Sequence, residues 1–326
     1  MTADGGSSRG LRIGVLGLAF SNPYTFARIL RARGVSMAAV WDYYPDQAAA
    51  YAEEFDAQVV EAPEDMAALG LDGVLVESTN ADHCRLARPM VAAGIPVYLD
   101  KVFALDEREA DDLLTLAEER GTFVMAGSSL RFGPAFKTLA DRVRDGGVGT
   151  PILASSFVSH TMADYLADPR KRWHDRLDEG GGMLVDIGVH GVEVLLQALG
   201  PGVVSVAAQT SKVRYQEADS EDCAVLTLTF RSGAIGVLHL SCASDLLDYT
   251  LTVHGTEGPL DAQDIARELY GAGTAAHSES AERALDAFVE AIVTQTPPMP
   301  RDELMEEVRV LLAARRAATE RRVISL

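Results

Sequence analysis

The chain of 326 residues is poor in cysteine, in long apolar runs and in positive charge. Its three cysteines, Cys84, Cys223 and Cys242, are far apart and show no metal-like spacing, which fits a reducing cytoplasm. No stretch reaches the roughly 20 apolar residues a membrane span needs. No basic-then-apolar secretion signal opens the chain; residues 1–10 are polar and rich in glycine and serine, and are expected to be a disordered tail. Lys and Arg number 29 against 48 Asp and Glu, a net charge of −19. That balance opposes nucleic acid, whose binding rests on Lys and Arg contacts to phosphate. A cytoplasmic protein with neither nucleic acid nor membrane as partner is expected. At about 150 residues per domain the length suggests two domains, and 48% apolar residues suffice for their cores.

Strand-like and helix-like stretches alternate from Leu11 to Ser128. Strands are expected at 12–18, 36–41, 73–77, 97–99 and 123–126, with helices at 23–33, 45–55, 82–93 and 107–119. Such alternation builds a parallel, doubly wound sheet. After Phe132 the rhythm changes to strands at 152–160, 203–213, 224–230, 234–243 and 249–254, separated by turn residues such as Arg231-Ser232-Gly233. Two further helices, 281–293 and 302–321, flank a proline-rich break. The fold class is therefore α/β. A parallel-sheet domain over 11–130 precedes an α/β domain over 131–326 with an open, mainly antiparallel sheet.

The segment Gly180-Gly181-Gly182-Met183-Leu184-Val185-Asp186-Ile187-Gly188-Val189-His190 continues apolar to Leu199. From Met183 it reads as one buried helix. It nevertheless carries Asp186, His190, Glu193 and Gln197, which fall within an arc of roughly 60° on a regular helix. Unpaired polar groups in a core cost about 1–3 kcal/mol each, so this stripe must face partners or a cavity. A carboxylate one turn before an imidazole suits acid–base chemistry. Glu193 and Gln197, further along, read as structural.

The first strand runs into Gly17-Leu18-Ala19-Phe20-Ser21-Asn22-Pro23, where a doubly wound domain places its dinucleotide loop. Against G-x-G-x-x-G the three positions are Gly17, Ala19 and Asn22, so only the first is glycine. Ala19 still allows close backbone approach, and Asn22 before Pro23 makes a helix cap. Asp42 closes the second strand, where an acid accepts ribose hydroxyls; its competing role is to cap the next helix. No arginine adjoins it to hold a 2′-phosphate, which favours NAD over NADP. Lys101 ends a buried strand, where it can hydrogen-bond a substrate hydroxyl and stabilise negative charge developing on it.

Lys101 and the Asp186/His190 pair together resemble the Gfo/Idh/MocA family of NAD(P)-dependent oxidoreductases, which includes inositol and glucose–fructose dehydrogenases. The resemblance spans nearly all of the chain from Leu11. Asp100-Lys101-Val102 matches that family's Glu-Lys-Pro, and Gly180 through His190 matches Gly-Gly-Gly-x-Leu-x-Asp-x-Gly-x-His at every fixed position. Ser129-Leu130-Arg131-Phe132-Gly133-Pro134 is similar to the stretch that enters the second domain. The resemblance implies a Rossmann domain holding the cofactor at Gly17, Ala19, Phe20, Asn22 and Asp42, with the loop of Thr79, Asn80 and His83 near the nicotinamide. It implies that Lys101 and His190 flank the reacting carbon, one of them moving the proton, while Asp186 orients the site. Arg131, Trp173 and His174 are expected to contact substrate, and no metal is required.

Two departures stand out. Asp100 is a methylene shorter than glutamate, and Val102 replaces a proline whose preceding bond is often cis. A cis bond before a non-proline residue costs about 3–4 kcal/mol, so a trans Lys101–Val102 bond is expected. Strands apolar on both faces in the second domain imply a homodimer or homotetramer. The expected activity is NAD-dependent oxidation of a secondary hydroxyl of a sugar, inositol or related polyol, or the reverse. Its rivals are an NAD-recycling glycoside hydrolase or lyase and a non-catalytic cofactor-binding regulator.

Overall fold

In the computed structural model, residues 10–20 and 22–326 are described; the expected tail lies outside them apart from Gly10. β1 (Arg12–Leu16) is buried from Ile13 onward, as a strand covered on both faces must be. It is followed by α1 (Pro23–Ala32), β2 (Ser36–Trp41), α2 (Pro45–Phe55), β3 (Gln58–Val59), β4 (Gly73–Val76), α3 (His83–Ala92), β5 (Val97–Leu99), α4 (Glu107–Arg120) and β6 (Val124–Ala126). The strands form a parallel sheet in the order β3-β2-β1-β4-β5-β6. The chain runs from β1 outward to β3, then returns to the other side of β1 at β4. The carboxyl ends of β1 and β4 are thus the switch point at which such sheets bind ligands.

α5 (Pro134–Arg144), β7 (Pro151–Thr161), α6 (Ala163–Ala167), α7 (Met183–Asp186) and α8 (Gly188–Leu199) come next. β8 (Val203–Ser211), β9 (Cys223–Phe230), β10 (Ile235–Ser241), β11 (Ala243–Gly255), β12 (Gly258–Asp261) and α9 (Ala262–Tyr270) follow. The chain ends with α10 (Ser280–Thr294), α11 (Arg301–Glu320) and β13 (Ile324–Ser325). The second sheet has seven strands in the order β12-β11-β7-β10-β9-β8-β13. All its pairings are antiparallel except β7 with β10. On β10, Leu238 and Leu240 are buried while Ile235 and His239 are exposed, the two-residue period of a sheet with one covered face.

Three features differ from the sequence reading. The helix from Met183 is not continuous: it breaks at Ile187, and the pieces on either side meet at 53°. Helices α5 and α9 lie where no helix was expected, the latter entered through Asp261, whose carboxylate accepts from the Gln263 and Asp264 N–H groups. The division of the chain is also not sequential. One unit runs through Gly127 and includes Ala284–Arg301; the other comprises Ser128–Arg283 and Asp302–Leu326. The expected boundary at 130 lies close to this division, while the second domain was expected to run unbroken to 326.

Packing explains the return of 284–301. A side chain on Gly73 of β4 would meet Ile292 Cδ1 at 2.8 Å, so α10 lies directly against that strand. Phe288 of α10 is fully buried, its ring 5.8 Å from Tyr98 and 6.1 Å from Phe123. No single helix among the described residues is long and apolar enough to cross a membrane.

Truncating Phe288 to Ala is expected to cost about 3–5 kcal/mol. Hydrogen exchange should show lost protection in β4, β5 and β6 while β7 to β11 keep theirs. Equal loss in both sheets would contradict this packing.

Candidate functional site

The candidate residues form two groups, one in each unit. In the first unit they converge on the switch point. Gly17 has a φ of +89°, and a side chain there would lie 2.8 Å from the Ser78 Cα, against backbone that cannot move aside. The loop is pinned by its own main chain. Gly17 N–H donates to the Trp41 carbonyl at 2.8 Å, and Ala19 N–H to the Glu77 carbonyl at 2.9 Å. Asp42 is buried and accepts from Leu18 N–H at 2.6 Å and from Tyr44 N–H at 2.7 Å. It therefore ties the loop to the end of β2 and does not cap α2.

Asn22 sits at the N-cap of α1, but its side chain makes no capping bond, a correction to the expected cap. Its Nδ2 points instead to Asp100 Oδ2 at 3.3 Å. The first turn of α1 has proline at its start, no acid and no capping side chain, which suits a phosphate at a helix N-terminus. With Gly17 at the turn and Asp42 held at the end of β2, these residues fit a dinucleotide.

The Lys101–Val102 bond is cis, contrary to the expected trans bond. The expectation weighed the dipeptide alone; in the fold both main-chain groups of Val102 are engaged. Its N–H donates to Asn80 Oδ1 at 3.2 Å, and its carbonyl lies 2.6 Å from His83 Nδ1. His83 Nε2 lies 3.1 Å from the Ser78 carbonyl, and the ring is fully buried. Burial pushes the His83 pKa down, so the ring is neutral. His83 thus braces two strand-end loops from beneath rather than lining the cofactor surface. Thr79 Oγ1 reaches Asp82 at 3.4 Å, and Asp82 accepts from Tyr43 at 2.5 Å and from Arg85 at 2.8 Å. Arg85 also bonds the Tyr43 hydroxyl, bringing to the residue after Asp42 an arginine that sequence adjacency did not reveal.

Lys101 is buried, with its Nζ 4.5 Å from the centre of the Phe20 ring. Asp100 Oδ1 accepts the Lys101 N–H at 2.7 Å. Glu77, at the end of β4, was not singled out, although a carboxylate closing the run Val74-Leu75-Val76 is a visible signal. It is fully buried, and no donor among the described residues reaches either oxygen. Burial first, then the charge of Asp100, push its carboxyl well above the usual range; Lys101 acts weakly the other way. Glu77 therefore favours its protonated form.

In the second unit the glycine run explains how Asp186 is placed. A side chain on Gly181 would meet the Trp173 and His174 carbonyl oxygens at 2.3 and 2.4 Å. Gly182 N–H donates to the His174 carbonyl at 2.9 Å. The approach of these two strands of chain sets α7 so that Asp186 Oδ2 lies 2.7 Å from His174 Nδ1, both side chains being buried. The His174 ring stacks between Trp173 and Tyr165, with centroids at 3.7 and 3.9 Å. Trp173 and His174, expected to meet substrate from a loop, are thus enclosed, and His174 is the partner of Asp186.

Beyond the break, His190 Nδ1 lies 2.6 Å from Ser128 Oγ, and its ring meets Tyr249 edge-on at 5.4 Å. Ser128 was not anticipated; its only signal is its place as the N-cap of a short 3-10 turn, Ser129–Phe132, where its Oγ accepts Leu130 N–H. A serine hydroxyl donates or accepts, so it supports either tautomer of His190, and hence either a base or an acid. Glu193 Oε2 accepts Ser128 N–H at 2.7 Å, and Gln197 Nε2 donates to the Arg131 carbonyl at 2.8 Å, the structural roles expected of both. Arg131 pairs with Glu303 at 2.6 Å and lines a cavity with Glu193 and Gln197.

Glu77 yields a pH test. A carboxyl whose pKa is raised on folding stabilises the fold at low pH, and that stability is lost as pH rises from the ordinary glutamate range through the folded value. Glu77→Gln removes the ionisation. It should raise Tm by about 3 °C at pH 8 and by less at pH 5, measured by thermal unfolding. A Tm gain independent of pH would exclude a protonated Glu77.

Residues 11–128 match the "Oxidoreductase family, NAD-binding Rossmann fold", and residues 136–261 match the "GFO/IDH/MocA C-terminal domain". A myo-inositol dehydrogenase of Streptomyces leeuwenhoekii is 28% identical over 311 residues, 90% of this chain and 93% of its own. A 1,5-anhydro-D-fructose reductase of Ensifer adhaerens is 27% identical over 239 residues, 72% of this chain and 71% of its own. The crystal structure of GenD2 from gentamicin A biosynthesis, in complex with NAD, has a TM-score of 0.85 at 25% identity and covers 100% of this chain and 99% of its own. The chain belongs to the GFO/IDH/MocA family of oxidoreductases, an NAD-binding Rossmann domain joined to that family's C-terminal domain.

Proposed function

We propose that this protein oxidises a secondary hydroxyl of a sugar, inositol or related polyol with NAD, or reduces the matching ketone. The observation that carries the reading is the buried Asp186–His174 pair, set one helix break before His190, whose Nδ1 contacts Ser128. A sugar hydroxyl offers both a donor and an acceptor, which the tunable imidazole of His190 can match, while the enclosed Asp186–His174 pair fixes the segment before it. NAD, rather than NADP, suits the carboxylate of Asp42 at the end of β2, and Arg85 is already paired with Asp82.

When bound, the nicotinamide supplies the hydride acceptor. The residues of the chain handle the rest. His190 takes the hydroxyl proton on Nε2 while Ser128 Oγ accepts from Nδ1–H, which selects the tautomer that can act as base. Lys101 hydrogen-bonds the hydroxyl oxygen and favours the negative charge that grows on it. Asp186, held by His174, orients the site from within. Asn22, Asp100, Asn80 and His83 act on Lys101 by fixing the segment that carries it.

The open face of the seven-stranded sheet supports self-association. Leu153, Val225, Ile235 and His239 are exposed there, and Phe157 is half-buried. Register aligns Val225, His239 and Phe157 across β9, β10 and β7. α8 lies on the opposite face, over Leu238. The expected occupant is the same face of a second copy, giving a homodimer or a homotetramer.

Calorimetry should show NAD binding more tightly than NADP. A screen of sugars, polyols and sugar acids, followed at the nicotinamide absorbance band, should show turnover. Lys101→Ala and His190→Gln should each lower kcat by about 10²–10⁴-fold, with NAD affinity kept in His190→Gln. No NAD binding, or unchanged turnover in both variants, would refute the proposal. Val225→Glu should convert the oligomer to monomer in analytical ultracentrifugation; an unchanged mass would move the interface elsewhere.

A further inference from the structure

Behind Ser128 lies a second buried acid cluster that the reaction as written does not use. Glu193 of α8 and Glu307 of α11 are 2% and 1% exposed. Apart from each other, Glu193 Oε1 and the two Glu307 oxygens meet no hydrogen-bond partner among the described residues. Both line a cavity of about 200 Å³, with Arg131, Arg144, Glu303 and Glu306 on its other walls. Arg131 is the nearest positive charge to the two carboxyls and is itself paired with Glu303. Two carboxyls enclosed together cannot both ionise cheaply. Burial pushes both upward, and for Glu193 the charge of Glu307 adds to it, so sharing a proton is favoured over two bare charges.

We propose that Glu193 is a positioning residue for His190. It grips the Ser128 N–H at 2.7 Å, and Ser128 Oγ in turn lies 2.6 Å from His190 Nδ1, the contact that holds the Nδ1–H tautomer in the proposed reaction. The inference rests on the proton-handling role given to His190 above. Glu307 is what lets the grip persist. By sharing its proton it keeps Glu193 in place without leaving two bare charges in the core. The remaining negative charge lies one residue from the imidazole and favours its protonated form. The Tyr249 ring also packs edge-on against His190, with His277 beyond it and Asp186 acting on the same tyrosine. Glu303 and Glu306 line the same cavity as the pair.

The chain has seven histidines, so nitrogen-15 labelling of histidine makes the His190 ring directly visible by NMR without turnover. In Glu193→Ala, the ring should lose its single tautomer, and its titration should move to lower pH by roughly half a unit or more. Glu193→Gln keeps an acceptor for Ser128 N–H and should keep the tautomer while still lowering the titration midpoint. Glu307→Gln keeps the hydrogen bond without a dissociable proton and should leave the tautomer unchanged. In turnover, Glu193→Ala should lower kcat by about tenfold or more, with KM for NAD unchanged. A purely structural role would lower Tm and leave the His190 signals where they are. Unchanged tautomer and titration in folded Glu193→Ala would overturn the proposal. If no substrate is turned over but these signals move, the positioning stands and the assigned reaction fails.

Discussion

Removing an ionised group from water costs several kcal/mol even after relaxation, unless partners replace the lost hydration. Each candidate group in this protein answers that constraint in its own way. Asp186, wholly buried, lies 2.7 Å from His174. Asp42 collects two main-chain N–H groups. Lys101 lies over an aromatic face beside Asp100, while Glu77 favours its protonated form. The positions of the main chain follow from these pairings as much as from apolar packing. Gly181 exists as glycine because the Asp186–His174 contact requires two backbones to pass at a distance that admits no side chain.

The same constraint explains why the stripe on the Met183 segment behaves as it does. A continuous helix would carry Asp186, His190, Glu193 and Gln197 down one side. The break at Ile187 frees Asp186 to follow α7 toward His174, while α8 presents the other three to the segment around Ser128 and Arg131. The periodicity identified the polar side chains and their shared burial. It could not identify their partners, which come from residues 174, 128 and 307, distant in sequence and without a local signature.

Much of the fold was legible because parallel strands buried on both faces leave unmistakable apolar runs, and five strands of the six-strand sheet follow them, whereas β3, two exposed residues, left none. What was not legible was allegiance. The amphipathic pattern of α10 states that one face must be buried but not against which sheet, and the room left by Gly73 decides it. Likewise the weight given to a trans bond at Lys101–Val102 came from the dipeptide, whereas Asn80 and His83 engage Val102 from another strand end. Local chemistry predicted the elements; tertiary hydrogen bonds settled the details on which chemistry depends.

The candidate nucleotide loop keeps its shape although two fingerprint glycines are replaced. Glycines at the second and third fingerprint positions serve close approach and tight packing. Here the loop is secured by main-chain bonds from Gly17 and Ala19 to Trp41 and Glu77, which alanine makes as well as glycine. Asn22 then does something glycine cannot. Its side chain reaches Asp100, whose other oxygen holds the Lys101 N–H, so the candidate nucleotide loop and the strand end that carries Lys101 share one carboxylate. Shortening glutamate to aspartate at position 100 belongs to the same arrangement: the carboxylate must serve Asn22 and Lys101 while Glu77 favours its protonated form beside it. A change at any of these residues therefore acts on cofactor loop and lysine together, and the loss of two glycines reads as an exchange of flexibility for this link.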